Sequence, residues 1–136
     1  MPHYTALAYL SFSGDFDALE LSEMTALQPC SRMQRHHLDE KRKIPEVSTL
    51  HYGQVESFEA IPDIYDLADS VVAKLSNYQH EIVAMTENPD CEVTFQVVLY
   101  FPVSEETSTP IIGFSRSALA FINELGASID IDTYRI

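Results

Sequence analysis

Asp130 and Asp132 are the carboxylates best spaced for joint chemistry: two positions apart in an alternating stretch, they project from one strand face, close enough to share a cation or a proton. The same pair also reads as the charged face of a terminal strand, because metal sites draw ligands from several elements. A cation site would need a third group, and Asp15 or Asp17 are the acids that could supply it. His36-His37-Leu38-Asp39-Glu40 holds every ligand type of a zinc or general-base site. Adjacent histidines in an irregular segment rarely converge on one metal, however, and no zinc-type spacing is present downstream. His3, His51 and His80 are isolated, and Ser13 and Ser115 read as turn and cap residues without a nucleophile elbow. Four glycines (Gly14, Gly53, Gly113, Gly126) cannot assemble a P-loop or a dinucleotide fingerprint. No catalytic residue, metal or cofactor is assigned, and metal-dependent hydrolysis through Asp130 and Asp132 is the least favoured reading.

Charge is laid out unevenly. Of 8 Lys and Arg, five (Arg32, Arg35, Lys41, Arg42, Lys43) fall within one short stretch, and 21 Asp and Glu bring the formal net charge to −13. The remaining surface is nearly one-signed. Such a surface repels nucleic acid and anionic lipid and attracts basic partners. The basic stretch is expected to be a solvated loop over residues 30–46, mobile, or a strap that meets acidic surface on the same chain or in a weak, salt-sensitive homodimer.

The elements that would position these residues emerge from periodicity. A 136-residue chain with 46% hydrophobic content, seven Phe and seven Tyr is expected to fold as a single domain over 1–136. No signal peptide or membrane span is apparent, so a cytoplasmic location is expected. Cys30 and Cys91 fit no metal or redox spacing and read as reduced, packed thiols. Tyr4 to Ser13 alternates as a central strand with Tyr4, Ala6, Ala8, Leu10 and Phe12 on one face. Asp17 and Glu20 form a capping-box pattern, stapled by Phe16 and Leu21, for a helix to about Leu27. A short strand is placed near Met33, and a weaker one over Val47–Phe58, with Leu50, Tyr52 and Phe58 on one parity and Gly53 as a bulge or bend. Ile64, Leu67, Val71, Leu75 and Tyr78 make one helical stripe after Asp63. Cys91–Phe101 alternates as a half-buried strand, with a polar loop after it over Ser104–Pro110. Ser115 caps a helix carrying Ala118, Leu119, Ile122 and Leu125, closed by Gly126, and a final strand carries Asp130 and Asp132. The order β-α-β-β-α-β-α-β predicts an α+β fold: an antiparallel or mixed sheet of about five strands with two to three helices mainly on one face.

The opening Tyr9-Leu-Ser-Phe-Ser-Gly-Asp-Phe-Asp17, the Leu27-Gln-Pro29 that ends the first helix, and the closing Leu125-Gly-Ala-Ser-Ile-Asp-Ile-Asp-Thr-Tyr134 resemble the bacterial domain-of-unknown-function family numbered 4279. The resemblance spans nearly the whole chain. It implies a compact intracellular α+β domain and no particular activity.

The expected function is accordingly a non-enzymatic, acidic protein-binding module of the immunity type, which masks the basic active site of a cognate bacterial toxin, a nuclease by preference. A cleft built to hold polyanions is met fastest by an inhibitor that displays carboxylates. The residues expected to contact the partner are Glu56, Glu59, Asp63, Asp66, Asp69, Asp130 and Asp132. Each alone is an ordinary helix-start or surface acid, and only the aggregate favours binding. The alternative from another class is a sensor or accessory domain binding a small ligand between sheet and helices.

Overall fold

Residues 5–101 and 111–136 are described by the computed structural model, so Tyr4, His3 and the loop expected over Ser104–Pro110 lie outside the described residues. The alternation of the first strand is realised in β1 (Ala6–Gly14), where Ala6, Ala8, Leu10 and Phe12 are fully buried. Flanking β1, and antiparallel to it, run β3 (Ser48–Ser57) and β4 (Cys91–Phe101); β2 (Ser31–Met33) pairs antiparallel with β3, and β5 (Ser128–Arg135) runs parallel to β4. The sheet order β2-β3-β1-β4-β5 is therefore mixed, and the fold is α+β.

Between these strands the chain forms α1 (Ala18–Ser22), α2 (Ile64–Leu75), α3 (Gln79–Thr86) and α4 (Arg116–Glu124). The Asp17 carboxylate accepts from the Glu20 amide, and the staple residues Phe16 and Leu21 are buried. α1 stops well short of Leu27: the Ser22 hydroxyl turns back to the Leu19 carbonyl and the Thr25 hydroxyl takes the Leu27 amide, both in competition with helical hydrogen bonding. In α2 the predicted stripe holds, with Ile64, Leu67, Val71 and Leu75 buried. A tight turn at Ser76–Tyr78 then divides what the stripe predicted as one helix into α2 and α3, whose Ile82 and Met85 reach the same core. In α4 the buried side is Ala118, Phe121 and Ile122 with Leu125 just beyond, while Leu119 is exposed, contrary to expectation. Gly126 (φ 64°) ends α4 in a Schellman arrangement, its amide reaching the Asn123 carbonyl and the Ala127 amide the Ile122 carbonyl.

Gly53 does what its place in a strand suggested. At φ 69° it forms the irregularity where β3 slips against β1 between Ala8 and Leu10, and a Cβ there would come within 2.8 Å of Leu75 Cδ2. The extra residue inverts the parity of the rest of β3. Val55 then sits opposite Ala8 and packs on the core, and Phe58, expected beside Leu50 and Tyr52, is instead 56% exposed.

The basic segment is tied down at several points. Asp39 and Ile44 exchange backbone hydrogen bonds, the His36 amide reaches the Pro45 carbonyl, and Ser48 both accepts from the Arg35 amide and donates to the Phe16 carbonyl. Arg35 also pairs with Asp15 at 2.5 Å. Cys30, expected to be packed, is exposed, with Sγ accepting from the Gln54 amide; Cys91 is half-buried, and burial pushes its thiol up to about 11. No helix among the described residues is long and apolar enough to cross a membrane.

Candidate functional site

The core cluster takes one face of the sheet and the helices that cover it. Leu7 and Val98 are buried yet lie outside that cluster, because they belong to the opposite face, which is helix-free among the described residues. Register assembles that face row by row. Tyr9 sits beside Gln96, and Gln96 beside Asp130; Glu56 sits beside Leu7, Leu7 beside Val98, and Val98 beside Asp132; Tyr100 sits beside Tyr134.

Side-chain contacts agree with the rows. Tyr9 stacks on His51 with ring centroids 4.2 Å apart, Tyr100 stacks on Tyr134 at 5.2 Å, and the Gln96 amide donates to the Asp132 carboxylate at 3.1 Å. The Tyr9 hydroxyl is held above its usual pKa by burial first, and then by the fields of Asp132 and Asp130. The His51 imidazole is held below its usual value by burial. None of the β-strand positions on this face carries Lys or Arg. Carboxylates set among tyrosine rings suit a guanidinium or ammonium group, which can meet a carboxylate and lie against a ring at once.

The other predicted contact residues gather elsewhere. Glu56, Glu59, Asp63 and Asp66 line one open groove between the end of β3 and α2, together with Phe58 and Leu67. Two of the seven predicted residues are held at helix starts. Asp63 caps α2, accepting from the Tyr65 and Asp66 amides, and Asp69 accepts from the Ser115 hydroxyl at 2.6 Å, tying α2 to the start of α4. Neither Asp15 nor Asp17 approaches the Asp130–Asp132 pair: Asp15 follows Gly14, which pairs with Cys91, five positions along β4 from the Gln96 that neighbours Asp130. His37 bonds the Gln34 carbonyl, and Asp39 accepts from the Lys41 and Arg42 amides. Among the described residues no group of three or more His, Cys, Asp or Glu side chains is placed to hold a metal ion.

The aromatic members of the helix-free face were missed in the sequence. Tyr134 stands two residues beyond Asp132, so alternation alone would have set it beside the pair; Tyr9 and Tyr100 needed the strand order.

A sequence family described as "Domain of unknown function (DUF4279)" matches residues 2–135. The chain belongs to the DUF4279 family. Comparison with curated proteins and with solved structures returns no match. In this DUF4279 chain two of the three segments that carried the resemblance are β1 with its turn and the stretch that contains β5, and both contribute side chains to the helix-free face.

Proposed function

We propose that the protein is a binding module for a basic macromolecule, of the immunity type, and that it inhibits a bacterial toxin by covering a cationic active site such as that of a nuclease. The observation that supports this most directly is the setting of Asp130 and Asp132 among Tyr9, Tyr100 and Tyr134, on strand positions free of Lys and Arg. Rings give durable contact area at low entropic cost, and carboxylates speed association with a cationic cleft. The groove lined by Glu56, Glu59 and Asp66 adds a second carboxylate surface, and the net charge of −13 extends the attraction over the whole molecule. An inhibitor of this kind acts in the cytoplasm, where a nuclease would find its substrate.

The test is to look for a toxin gene beside the protein's own and, with any toxin domain found there, to measure complex formation by calorimetry and inhibition by nuclease assay. The expected result is inhibition, with affinity falling by at least ~10-fold between about 0.05 and about 0.5 M salt. Asp130→Asn with Asp132→Asn should weaken the complex while leaving thermal stability unchanged. Binding that ignores both salt and this double variant removes the electrostatic reading.

A further inference from the structure

The two edges of the sheet are finished differently. On one side β2 is only three residues long, and the adjoining part of β3 is occupied: Lys74 Nζ donates to the Gln54 carbonyl at 2.9 Å, the Gln54 amide donates to Cys30 Sγ, and the Gly53 bulge twists the strand. These devices blunt an edge. On the other side β5 runs for eight residues, and among the described residues β4 is its one ladder partner.

Which backbone groups of β5 face outward can be read from its end. The Ile136 amide donates to the Phe101 carbonyl, so Ile136 turns its peptide groups toward β4. Groups alternate along a strand, so Ser128, Asp130, Asp132 and Tyr134 also bond inward, and Ile129, Ile131, Thr133 and Arg135 present N–H and C=O outward. The side chains alternate with the same period. Those of Asp130, Asp132 and Tyr134 stand on the helix-free face, whereas Ile129 and Ile131 stand on the other, Ile131 against the core and Ile129 38% exposed.

We infer that the outer edge of β5 is a docking site that takes an extended, alternately basic and apolar segment of a partner protein as a sixth strand. The inference rests on the binding reading above and names its mode. A strand added there places every second side chain beside Asp130 and Asp132, where Lys or Arg is favoured, and the intervening ones beside Ile129 and Ile131, where apolar residues are favoured. Main-chain bonds supply the affinity, and the carboxylates supply the choice of partner. A second copy of this chain is a poorer occupant wherever the aspartates of the two copies meet. An antiparallel pair of β5 strands centred on Ile131 would set Asp130 of each copy beside Asp132 of the other, and like charges directly opposite destabilise a pair. The charges that keep two copies apart are thus the ones that select a basic strand.

The probe is a blocked synthetic peptide alternating lysine and valine, with an alternating glutamate and valine peptide as control, both added to the full chain and followed by amide hydrogen exchange. Slowed exchange at Ile129, Ile131, Thr133 and Arg135 with the lysine peptide alone is the expected result. Thr133→Pro deletes one outward N–H without touching the ladder to β4, and should weaken peptide binding by ~10-fold or more while thermal stability and the Tyr100–Tyr134 contact persist. Ile129→Pro deletes another outward N–H at a part-exposed position and should weaken peptide binding likewise. Peptide that binds with salt sensitivity and depends on Asp130 and Asp132, yet protects none of the four amides and ignores both prolines, overturns the edge docking and leaves the charge reading standing. Indifference to the peptide altogether overturns the inference. So does a concentration-dependent dimer that the proline variants dissociate.

Discussion

The two faces of this sheet are written on the same strands, yet they differ in what they are made of. On the covered face β1 and β4 present Ala6, Ala8, Leu10 and Phe12 against Val93, Phe95, Val97 and Leu99, nearly all without solvent contact, beneath the apolar stripes of α2 and α4. On the helix-free face the intervening positions are Leu7, Tyr9, Thr94, Gln96 and Val98, bordered by Asp130, Asp132 and Tyr134. The first set is hydrocarbon whose burial stabilises the fold by roughly 1.5–3 kcal/mol per large side chain. The second contains ionisable and hydrogen-bonding groups that stability does not demand. A face whose chemistry exceeds what folding requires is the natural place to look for binding.

The contrast breaks most visibly at Phe95. Its ring is fully buried and meets Phe114 edge-on at 6.0 Å, so Phe95→Ala should cost ~3–5 kcal/mol in urea denaturation. A loss below about 1 kcal/mol would mean that the covered face does not carry the stability.

Tyr52 sharpens the same comparison from the other direction. Among the described residues it is the fully buried tyrosine of the covered core: edge-on to Phe12, with a hydroxyl that has no hydrogen-bond partner among those residues and that burial pushes up to about 12. The Arg32 charge opposes that shift without cancelling it. Tyr52→Phe removes an orphaned polar atom without opening a cavity, and should leave stability unchanged or raise it by ~1 kcal/mol in thermal denaturation. A clear loss would show that the hydroxyl is satisfied in solution.

How much of this could be read from the residues depended on whether neighbours in sequence or neighbours in space decided the outcome. The faces of β1 and β4, the α2 stripe, the caps at Asp17, Asp63 and Ser115 and the Gly126 stop are all local, and period or capping chemistry suffices to find them. Phe58 went astray because one inserted residue at Gly53 reverses every later side chain, and a glycine in a strand suggests a bulge or a bend without saying which, so pairing with β1 was needed to fix the parity beyond it. The α2–α3 break at Ser76–Tyr78 left no mark in an apolar stripe that continues through it. Among the predicted contact residues, sequence could count the acids but could not sort them. Asp63 and Asp69 turned out to be held by a helix start and by Ser115, whereas Asp130 and Asp132 drew Tyr9 and Tyr100 to them through a strand order that no single segment encodes.

The smallest effect is expected on the helix-free face itself, at His51. Its ring lies against Tyr9, and burial lowers its pKa below 6.5. The unfolded chain therefore takes up the proton first as pH falls. The stability associated with a neutral His51 is complete above pH 6.5 and declines below it, until the folded protein protonates as well. His51→Gln cannot take up that proton, so the difference in denaturation free energy between wild type and variant should shift between pH 7 and pH 5, in the variant's favour at the acid end. A difference that stays flat would mean that the imidazole is as well solvated in the fold as out of it. The stack on Tyr9 would then be too loose to count the helix-free face as a preformed surface.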